Sequence, residues 1–171
     1  MRFARLTPLA LALVPAAAFA AMSGDEVLAE AARLPRQVPG QYRTSLEMLE
    51  ADGPAGAKDL AEVLRSAGND EVENSESCAD PEGAEASGGT HLVREILEDG
   101  CTFDHFAVSG ETVTAVAQCP PDRGLPERVK MTGRIGAERL DMLVTVDQGV
   151  PDKGTMRLKM RIKSERVGDC A

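Results

Sequence analysis

Four cysteines are the residues whose type and spacing most constrain the chemistry of this chain: Cys78, Cys101, Cys119 and Cys170. None belongs to a Cys-x-x-Cys pair, so neither a thioredoxin-like redox centre nor a zinc ribbon is indicated. A three-residue loop at 109–111 would place Cys101 opposite Cys119, whereas a two-residue loop at 109–110 would shift the register and break that facing. We expect a Cys101–Cys119 disulfide, which leaves Cys78 to pair with Cys170.

A stripe of basic side chains could receive an anionic ligand or an acidic partner. Its members alternate with apolar residues along predicted strands, so strands that share a sheet would carry them on one face. The stripe consists of Arg128, Lys130, Arg134, Arg157, Lys159, Arg161 and Lys163, and all but Arg134 are candidate contacts of such a partner. The alternative is that the stripe protects an exposed face from aggregation, with Asp141 and Asp147 neutralising part of its charge.

The remaining reactive residues form no pattern typical of catalysis or metal binding. His91 and His105 lack a second ligand at metal-binding spacing. The acidic residues at 70–76 lack the spacing of a calcium loop, and no Gly-x-Ser-x-Gly motif is present. Asp104 neighbours His105 on a predicted strand, so we expect the two side chains to point to opposite faces. The sequence predicts a protein that is not an enzyme and needs no metal or other cofactor.

The first twenty residues predict the compartment in which these groups act. Arg2 and Arg5 precede an apolar run at 6–19, and Ala18-Phe19-Ala20 is a small-x-small site typical of signal peptidase cleavage. We expect a signal peptide at 1–20, cut after Ala20, and a periplasmic or secreted mature chain. The residue directly after the cut site is not a cysteine, so we expect no lipid anchor there, and no later run reaches the roughly 20 apolar residues of a membrane span.

Composition excludes several partners and limits the core. The formal net charge is −9 at pH 7, which repels phosphate backbones and makes nucleic-acid binding an unsuitable function. Beyond the signal segment the only aromatic residues are Tyr42, Phe103 and Phe106. The core must therefore consist of aliphatic residues and methionine. The methionines either fill gaps in it or line an adaptable apolar pocket.

The hydrophobic pattern predicts a mainly β fold, an antiparallel β-sandwich or open barrel with two or three short peripheral helices. Residues 21–38 read as a helix with a Ser23/Glu26 capping box and a linker, and 39–171 as one disulfide-stapled domain. Further predicted elements are a helix at 57–67, a solvated acidic loop at 69–89 with at most a short initial strand, a helix at 90–98, and strands after Cys101. A two-residue turn at Gly136-Ala137 would pair Met131 with Met142.

Motifs along nearly the whole chain after the signal segment resemble the family of small exported bacterial proteins called domain of unknown function 3617. They are Pro39-Gly40-Gln41-Tyr42, Asp99-Gly100-Cys101, Met131-Thr132-Gly133, the final run Arg166-Val167-Gly168-Asp169-Cys170 and the order of the four cysteines. The resemblance implies an exported β-rich domain without an established activity, and it transfers no site residues. Tyr42 stands where tryptophan is frequent in the family, and the acidic segment has no clear counterpart there.

Two functions from different classes fit these observations. The first is a periplasmic binding module for a small apolar ligand inside the sheet or an anionic one on the basic stripe. The second is an envelope structural or protein-interaction component without a small-molecule site. A cavity would favour the first, and a filled core with an exposed edge or apolar patch would favour the second.

Overall fold

Alternating apolar and polar residues build one antiparallel sheet. The computed structural model describes residues 21–53, 73–86, 89–120, 128–150 and 154–170, so the predicted signal segment and the helix at 57–67 lie outside the described residues. The strands are β1 (Gly40–Asp52), β2 (Glu73–Ala79), β3 (Thr102–Ser109), β4 (Thr112–Gln118), β5 (Arg128–Ile135), β6 (Arg139–Val150) and β7 (Gly154–Gly168). The helices are α1 (Gly24–Ala31), α2 (Pro81–Ala86) and α3 (Gly89–Glu98).

The strand order is β2-β1-β7-β6-β5-β4-β3, and every neighbouring pair is antiparallel. Strands β3 to β7 follow one another as a meander, after which β7 pairs with β1 from the start of the domain. The mainly β, antiparallel architecture with short helices is confirmed. Among the described residues the seven strands form one sheet, with β2 and β3 at its edges.

The core lies where α1 and α3 cover the inner face of β3 and β4. Val27 and Phe103 are fully buried, and Phe103 meets Phe106 edge to face with ring centroids 5.5 Å apart. Each large side chain removed from water in this way stabilises the fold by roughly 1.5–3 kcal/mol. The other buried members of the cluster are Ala31, Leu34, Val93, Val108, Val113, Ala115 and Ala117.

Helix α1 begins where its capping box predicts and also protects an edge of the sheet. The Ser23 hydroxyl accepts from the Glu26 N–H at 3.3 Å, and the Glu26 carboxylate accepts from the Ser23 N–H at 2.8 Å. One turn later the Glu30 carboxylate accepts from the Val108 N–H on edge strand β3 at 2.9 Å. A carboxylate at that position occupies a donor that could otherwise pair with another chain.

The disulfides are Cys78–Cys170 and Cys101–Cys119, the pairs that the sequence favours, but the loop that places Cys101 differs from the expected one. Ser109 pairs with Thr112, so the turn has two residues, Gly110-Glu111, and Gly110 adopts a positive φ of 61°. That register alone would place Cys101 beside residue 120. A β-bulge between Phe103 and His105 shifts the pairing by one residue and restores the facing of the cysteines.

The turn between β5 and β6 lies one residue later than expected. Ile135 pairs with Leu140 and Gly136 donates to the carbonyl of Arg139, so the turn residues are Ala137 and Glu138. Met131 therefore faces Val144 instead of Met142. The inward-facing set stays the same because the register moves by two residues. Neighbouring segments hold this turn, since Val38 donates to the Ala137 carbonyl and Arg166 to the Glu138 carbonyl.

The acidic segment contains more regular structure than its composition predicts. Strand β2 pairs with β1 from Gly40 to Leu46, and helix α2 follows it at once. The expected solvated loop over 69–89 is therefore wrong for its described part. Its acidity is compatible with an edge strand because Glu76 pairs with Arg43 of β1 at 2.8 Å on the solvent side.

Candidate functional site

The inner face of the sheet holds a cavity of about 260 Å³ beside the linker that follows α1. Strands β1, β2, β5, β6 and β7 all contribute to its wall, as does the first residue of α3. The apolar part of the wall comes from Pro35, Ala79, Ile135, Leu140 and Ile162, and the hydrogen-bonding part from Gln37, Tyr42, Thr44, Ser77 and Ser164. Gly89, Gly136 and Arg139 complete the lining. The wall is therefore amphipathic.

Tyr42 is held in this wall by the turn between β5 and β6. Its hydroxyl donates to the carbonyl of Val38 at 2.6 Å and lies 3.2 Å from the carbonyl of Ala137, and the residue is only 2% exposed. Burial raises the pKa of the hydroxyl, and a hydrogen bond from Gln37 opposes that rise. Tyr42 is thus a neutral donor that joins the linker, β1 and the turn.

Gly40 sets the point at which β1 enters the sheet. Its φ of 151° is unfavourable for residues with a side chain, and a Cβ built there would lie 2.6 Å from the carbonyl oxygen of Gly168. Only glycine allows this close approach of β1 to the end of β7. The position of Tyr42, two residues later, depends on it.

Gln37 lines the cavity, and one of its side-chain atoms is unsatisfied behind the wall. Its Oε1 atom is buried and has no hydrogen-bond partner among the described residues. By contrast, the hydroxyls of Thr44 and Ser164 bond to each other at 2.9 Å. A buried acceptor without a partner requires an explanation, because most such atoms in folded proteins are satisfied.

The cavity presents little charge. Among the described lining residues Arg139 is the charged one, and its guanidinium lies 3.4 Å from the Glu111 carboxylate, which also binds Arg134 on the outer face of β5 at 3.0 Å. The described part of the lining contains no methionine. Met142 and Met156 are buried at 6% and 4% exposure, and Met131 packs against the core, so these three methionines fill gaps.

The basic stripe lies on the opposite, outer face, on β5 and β7 with β6 between them. Its arginines are paired with acids. Arg157 contacts Asp147 at 2.6 Å, and Arg161 binds both carboxylate oxygens of Asp141 at 2.8 and 2.7 Å. Arg128 lies 3.9 Å from Asp104. The lysines of the stripe, Lys130, Lys159 and Lys163, form no ion pair within 4 Å inside the described ranges.

A bulge in β1 brings further acids to this face. Met48 pairs with Met160, but the next pair is Glu50 with Lys159, so Leu49 is the extra residue. If the register did not shift at this point, Glu50 would face Leu158 on the apolar side of the sheet. Asp52 likewise comes opposite Arg157. The outer face is therefore a lattice of alternating charges, and the pKa of Asp141 is lowered by its hydrogen bonds to Arg161, as that of Asp147 is by Arg157.

The bulge in β3 corrects the expectation for the Asp104 and His105 pair. The His105 ring nitrogen Nε2 lies 3.1 Å from the Thr114 hydroxyl, and the Asp104 carboxylate accepts from Gln118 at 3.0 Å. Thr114 and Gln118 share one face of β4, so both side chains lie on that face. Asp104 and His105 therefore each contact a side chain of β4. His91 sits elsewhere, on α3, 3.6 Å from Glu95.

Sequence reasoning missed Gln37, the residue that distinguishes the cavity. It falls in the linker between α1 and β1, where no periodicity applies, and it comes beside Tyr42 only in the folded chain. The neighbouring motif Pro39-Gly40 marks the turn into β1. Nothing in the order of residues indicates that an amide side chain points inward there.

Three further observations concern the surroundings of the domain and the ions it could hold. Two disulfides indicate an oxidising, extracellular environment. No helix in the described part of the chain has the length and apolar character that crossing a membrane requires. In the same part of the chain no group of three or more histidine, cysteine or acidic residues is placed to hold a metal ion.

Comparison with known proteins identifies one relationship. Neither a curated protein nor a solved structure matches the chain. The family described as "Protein of unknown function (DUF3617)" matches residues 37–170, a range that begins at Gln37 and includes all seven strands and both disulfides. The chain belongs to the DUF3617 family.

Proposed function

We propose that this chain is an exported, non-catalytic binding module that holds a small, largely apolar ligand in the cavity on the inner face of its sheet. The observation that carries the proposal is the amphipathic cavity of about 260 Å³, whose wall combines Ile135, Leu140 and Ile162 with a few hydrogen-bonding groups. Ligand sites in proteins commonly show this composition, an apolar lining with a small number of placed polar atoms.

The size of the cavity limits the ligand. At roughly 30 Å³ for each group the size of a water molecule, a volume of this order holds about nine non-hydrogen atoms. An eight-carbon alcohol is a suitable probe. We favour the cavity over the basic stripe as the ligand site because the arginines of the stripe are already paired. An anion on that face must compete with Asp141 and Asp147 for the same guanidinium groups.

Export is supported by the arrangement of residues 1–20 and by the two disulfides. The measurement is the intact mass and N-terminal sequence of the protein recovered from the periplasmic fraction. We expect a chain that begins at Ala21 and carries no free thiol. A chain that begins at Met1 and stays in the cytosol would contradict this part of the proposal.

Binding is tested by titrating the ¹⁵N-labelled mature protein with octan-1-ol and following backbone amide shifts. We expect saturable shifts centred on Ile135, Leu140 and Ile162. The variant Ser164→Phe places a ring in the cavity and should abolish them. Its matched control is Glu165→Phe on the outer face of the same strand, which should bind like the wild type. Absence of saturable shifts in the wild type would contradict the proposal.

A further inference from the structure

A second concavity lies on the outer face of the sheet, above strand β7. It encloses about 500 Å³ and is open to solvent. Leu49 of β1 and Leu143 of β6 form its apolar walls on opposite sides of β7, which contributes Lys159. Thr132 of β5 pairs with Leu143 and lines the same concavity. No described residue lines both this concavity and the inner cavity, so the outer site is independent of the function proposed above.

The bulge in β1 places Leu49 on this face. The register leaves Leu49 unpaired between Met48 and Glu50, and Leu49 lines the concavity together with Lys159. It remains 45% exposed. Bulges commonly redirect a side chain in this way. Leu143 is equally unusual, because the other outward-facing residues of β6, at 139, 141, 145 and 147, are polar. Two leucines thus form an apolar patch within a charged face.

The acid and the arginines that line the concavity are already paired. Asp141 accepts from Arg161 through both carboxylate oxygens, at 2.8 and 2.7 Å. Arg134 lies 3.0 Å from the Glu111 carboxylate. An anion that enters the concavity gains little from these guanidinium groups, because it must displace a carboxylate to bind them.

Lys159 differs from these neighbours in having no partner. It is half-buried, and its ammonium forms no hydrogen bond or ion pair within the described ranges. Glu50 lies opposite Lys159 in the register, yet the two charges do not come within 4 Å of each other. The hydroxyl of Thr132 likewise has no hydrogen-bond partner in that part of the chain. The concavity therefore offers two free donors, one of them charged, beside an apolar patch.

We infer that this concavity binds a singly charged anion with one linear apolar chain, of the class of medium-chain carboxylates. The carboxylate accepts from the Lys159 ammonium, with the Thr132 hydroxyl as a further donor, and the chain lies against Leu49 and Leu143. At about 30 Å³ for each group the size of a water molecule, the concavity holds roughly seventeen non-hydrogen atoms, so a ten-carbon carboxylate fits. A dianion would bring a second charge, for which the described lining has no free cation.

The test is a titration of the oxidised mature protein, labelled with ¹³C in the leucine and isoleucine methyl groups, with sodium decanoate below its micelle concentration. We expect saturable shifts of the methyl signals of Leu49 and Leu143. Decylammonium chloride is the matched cation. The net charge of −9 attracts that cation to the chain as a whole. We nevertheless expect decanoate to bind about tenfold more tightly, which only a local site explains.

Two lysine variants separate the site from the overall charge. Lys159→Gln removes the free ammonium and should weaken decanoate binding about tenfold, the effect of losing a hydrogen bond between charged groups. Lys130→Gln is the matched control, because it removes the same charge from the same face at a residue outside the described lining. Its affinity for decanoate should stay within about twofold of the wild type.

Two leucine variants test the apolar part of the site. Leu49→Ala should weaken decanoate binding about fivefold, because the chain loses part of its apolar contact. Leu92 of α3 is also 45% exposed, and Leu92→Ala should bind decanoate like the wild type. The melting temperature and the intact oxidised mass establish that each variant is folded. If Leu49→Ala does not fold, the lysine variants decide the question.

The outcomes distinguish this site from the inner cavity. Decanoate shifts confined to Ile135, Leu140 and Ile162 would overturn the outer site and support the inner one. Equal effects of Lys159→Gln and Lys130→Gln, or binding of decylammonium as tight as that of decanoate, would also overturn it. So would the absence of saturable shifts at Leu49 and Leu143, a result that leaves the octan-1-ol test of the inner cavity unaffected.

Discussion

The hydroxyl of Tyr42 is a single group on which three segments depend. It bonds to the linker at Val38 and approaches the turn at Ala137, and it is almost fully buried. We expect Tyr42→Phe to lower the free energy of unfolding by about 1–3 kcal/mol, because the carbonyl of Val38 loses its donor and the hydroxyl no longer approaches the carbonyl of Ala137. Denaturant unfolding of the oxidised protein measures this loss. A change below about 0.5 kcal/mol would show that water replaces the hydroxyl without loss.

Glu30 makes the edge of the sheet sensitive to acid. Its pKa is lowered by the hydrogen bond from Arg33 and by the one from the Val108 N–H. A carboxyl with a lowered pKa in the folded state stabilises it above the unfolded pKa, and that stabilisation is lost as the pH falls through the folded pKa. We expect the amide of Val108 to lose protection against hydrogen exchange when the pH is lowered below 4.

The matched variant is Glu30→Gln. It removes the titrating group, so the protection of Val108, corrected for the intrinsic pH dependence of exchange, should become independent of pH between 3 and 7. Val113, in the core on strand β4, provides an internal reference. If the protection of Val108 in the wild type follows that of Val113 at every pH, the carboxylate of Glu30 does not hold this edge.

At the scale of elements, the bulge in β3 decides whether a disulfide can form. The pairing shifts between Phe103 and His105, which brings Cys101 opposite Cys119. Insertion of one glycine after Asp104 should give β3 two residues more than β4 over this span, so that a single bulge leaves Cys101 one residue out of line with Cys119. We expect two reactive thiols in the insertion variant, measured by alkylation and intact mass.

The control is Asp104→Asn, which keeps the extra residue and removes the charge near Arg128. It should contain both disulfides. If the insertion variant also forms the Cys101–Cys119 bond, the disulfide determines the register and the bulge merely follows from it.

Which elements form could be predicted from the sequence, but how they are aligned could not. Alternation along 156–163 identifies the inner and outer residues of β7, and the capping box at Ser23 identifies the start of α1. Such reasoning does not locate the turn at Ala137 and Glu138 or the bulge at Leu49. Contacts from Val38 and Arg166 hold the turn, and the bulge satisfies charges on a neighbouring strand. Periodicity reports which face a residue occupies, not which partner it meets.

The candidate site was the least predictable part for the same reason. The basic stripe is visible as an alternation, but its acids come from other strands and from a bulge, so its charge balance exists only in the folded sheet. The cavity is formed by residues from five strands and a linker. Gln37 has no sequence neighbour with which to form a motif.

At the scale of the whole molecule, the two disulfides differ in accessibility. Cys78 and Cys170 are exposed, whereas Cys101 is buried at 4% exposure. Mild reduction should therefore open Cys78–Cys170 first, as seen by alkylation and peptide mass mapping. In the chain-entropy model, Cys78→Ser with Cys170→Ser should lower the free energy of unfolding by about 4 kcal/mol, since the cross-link closes a long loop.

The comparison is Cys101→Ser with Cys119→Ser, which removes a cross-link between residues 18 positions apart. This variant should lower the free energy of unfolding by about 3 kcal/mol. Loss of Cys101–Cys119 before Cys78–Cys170 under mild reductant would mean that local opening of β3, and not surface exposure, controls access. The spacing of the cysteines does not predict which disulfide is reduced first, because that order depends on how deeply each disulfide is buried in the fold.

The pairing of β1 with β7 has a consequence for how the chain is made. The ribosome releases β1 well before β7, so one edge of β1, in the segment that carries Leu46 and Met48, stays unpaired until β7 has been made. During that interval the meander of β3 to β6 can assemble from local hairpins, but the strand that joins it to β1 is missing. Until β7 has been made, that edge of β1 is open to pairing with a strand of another chain.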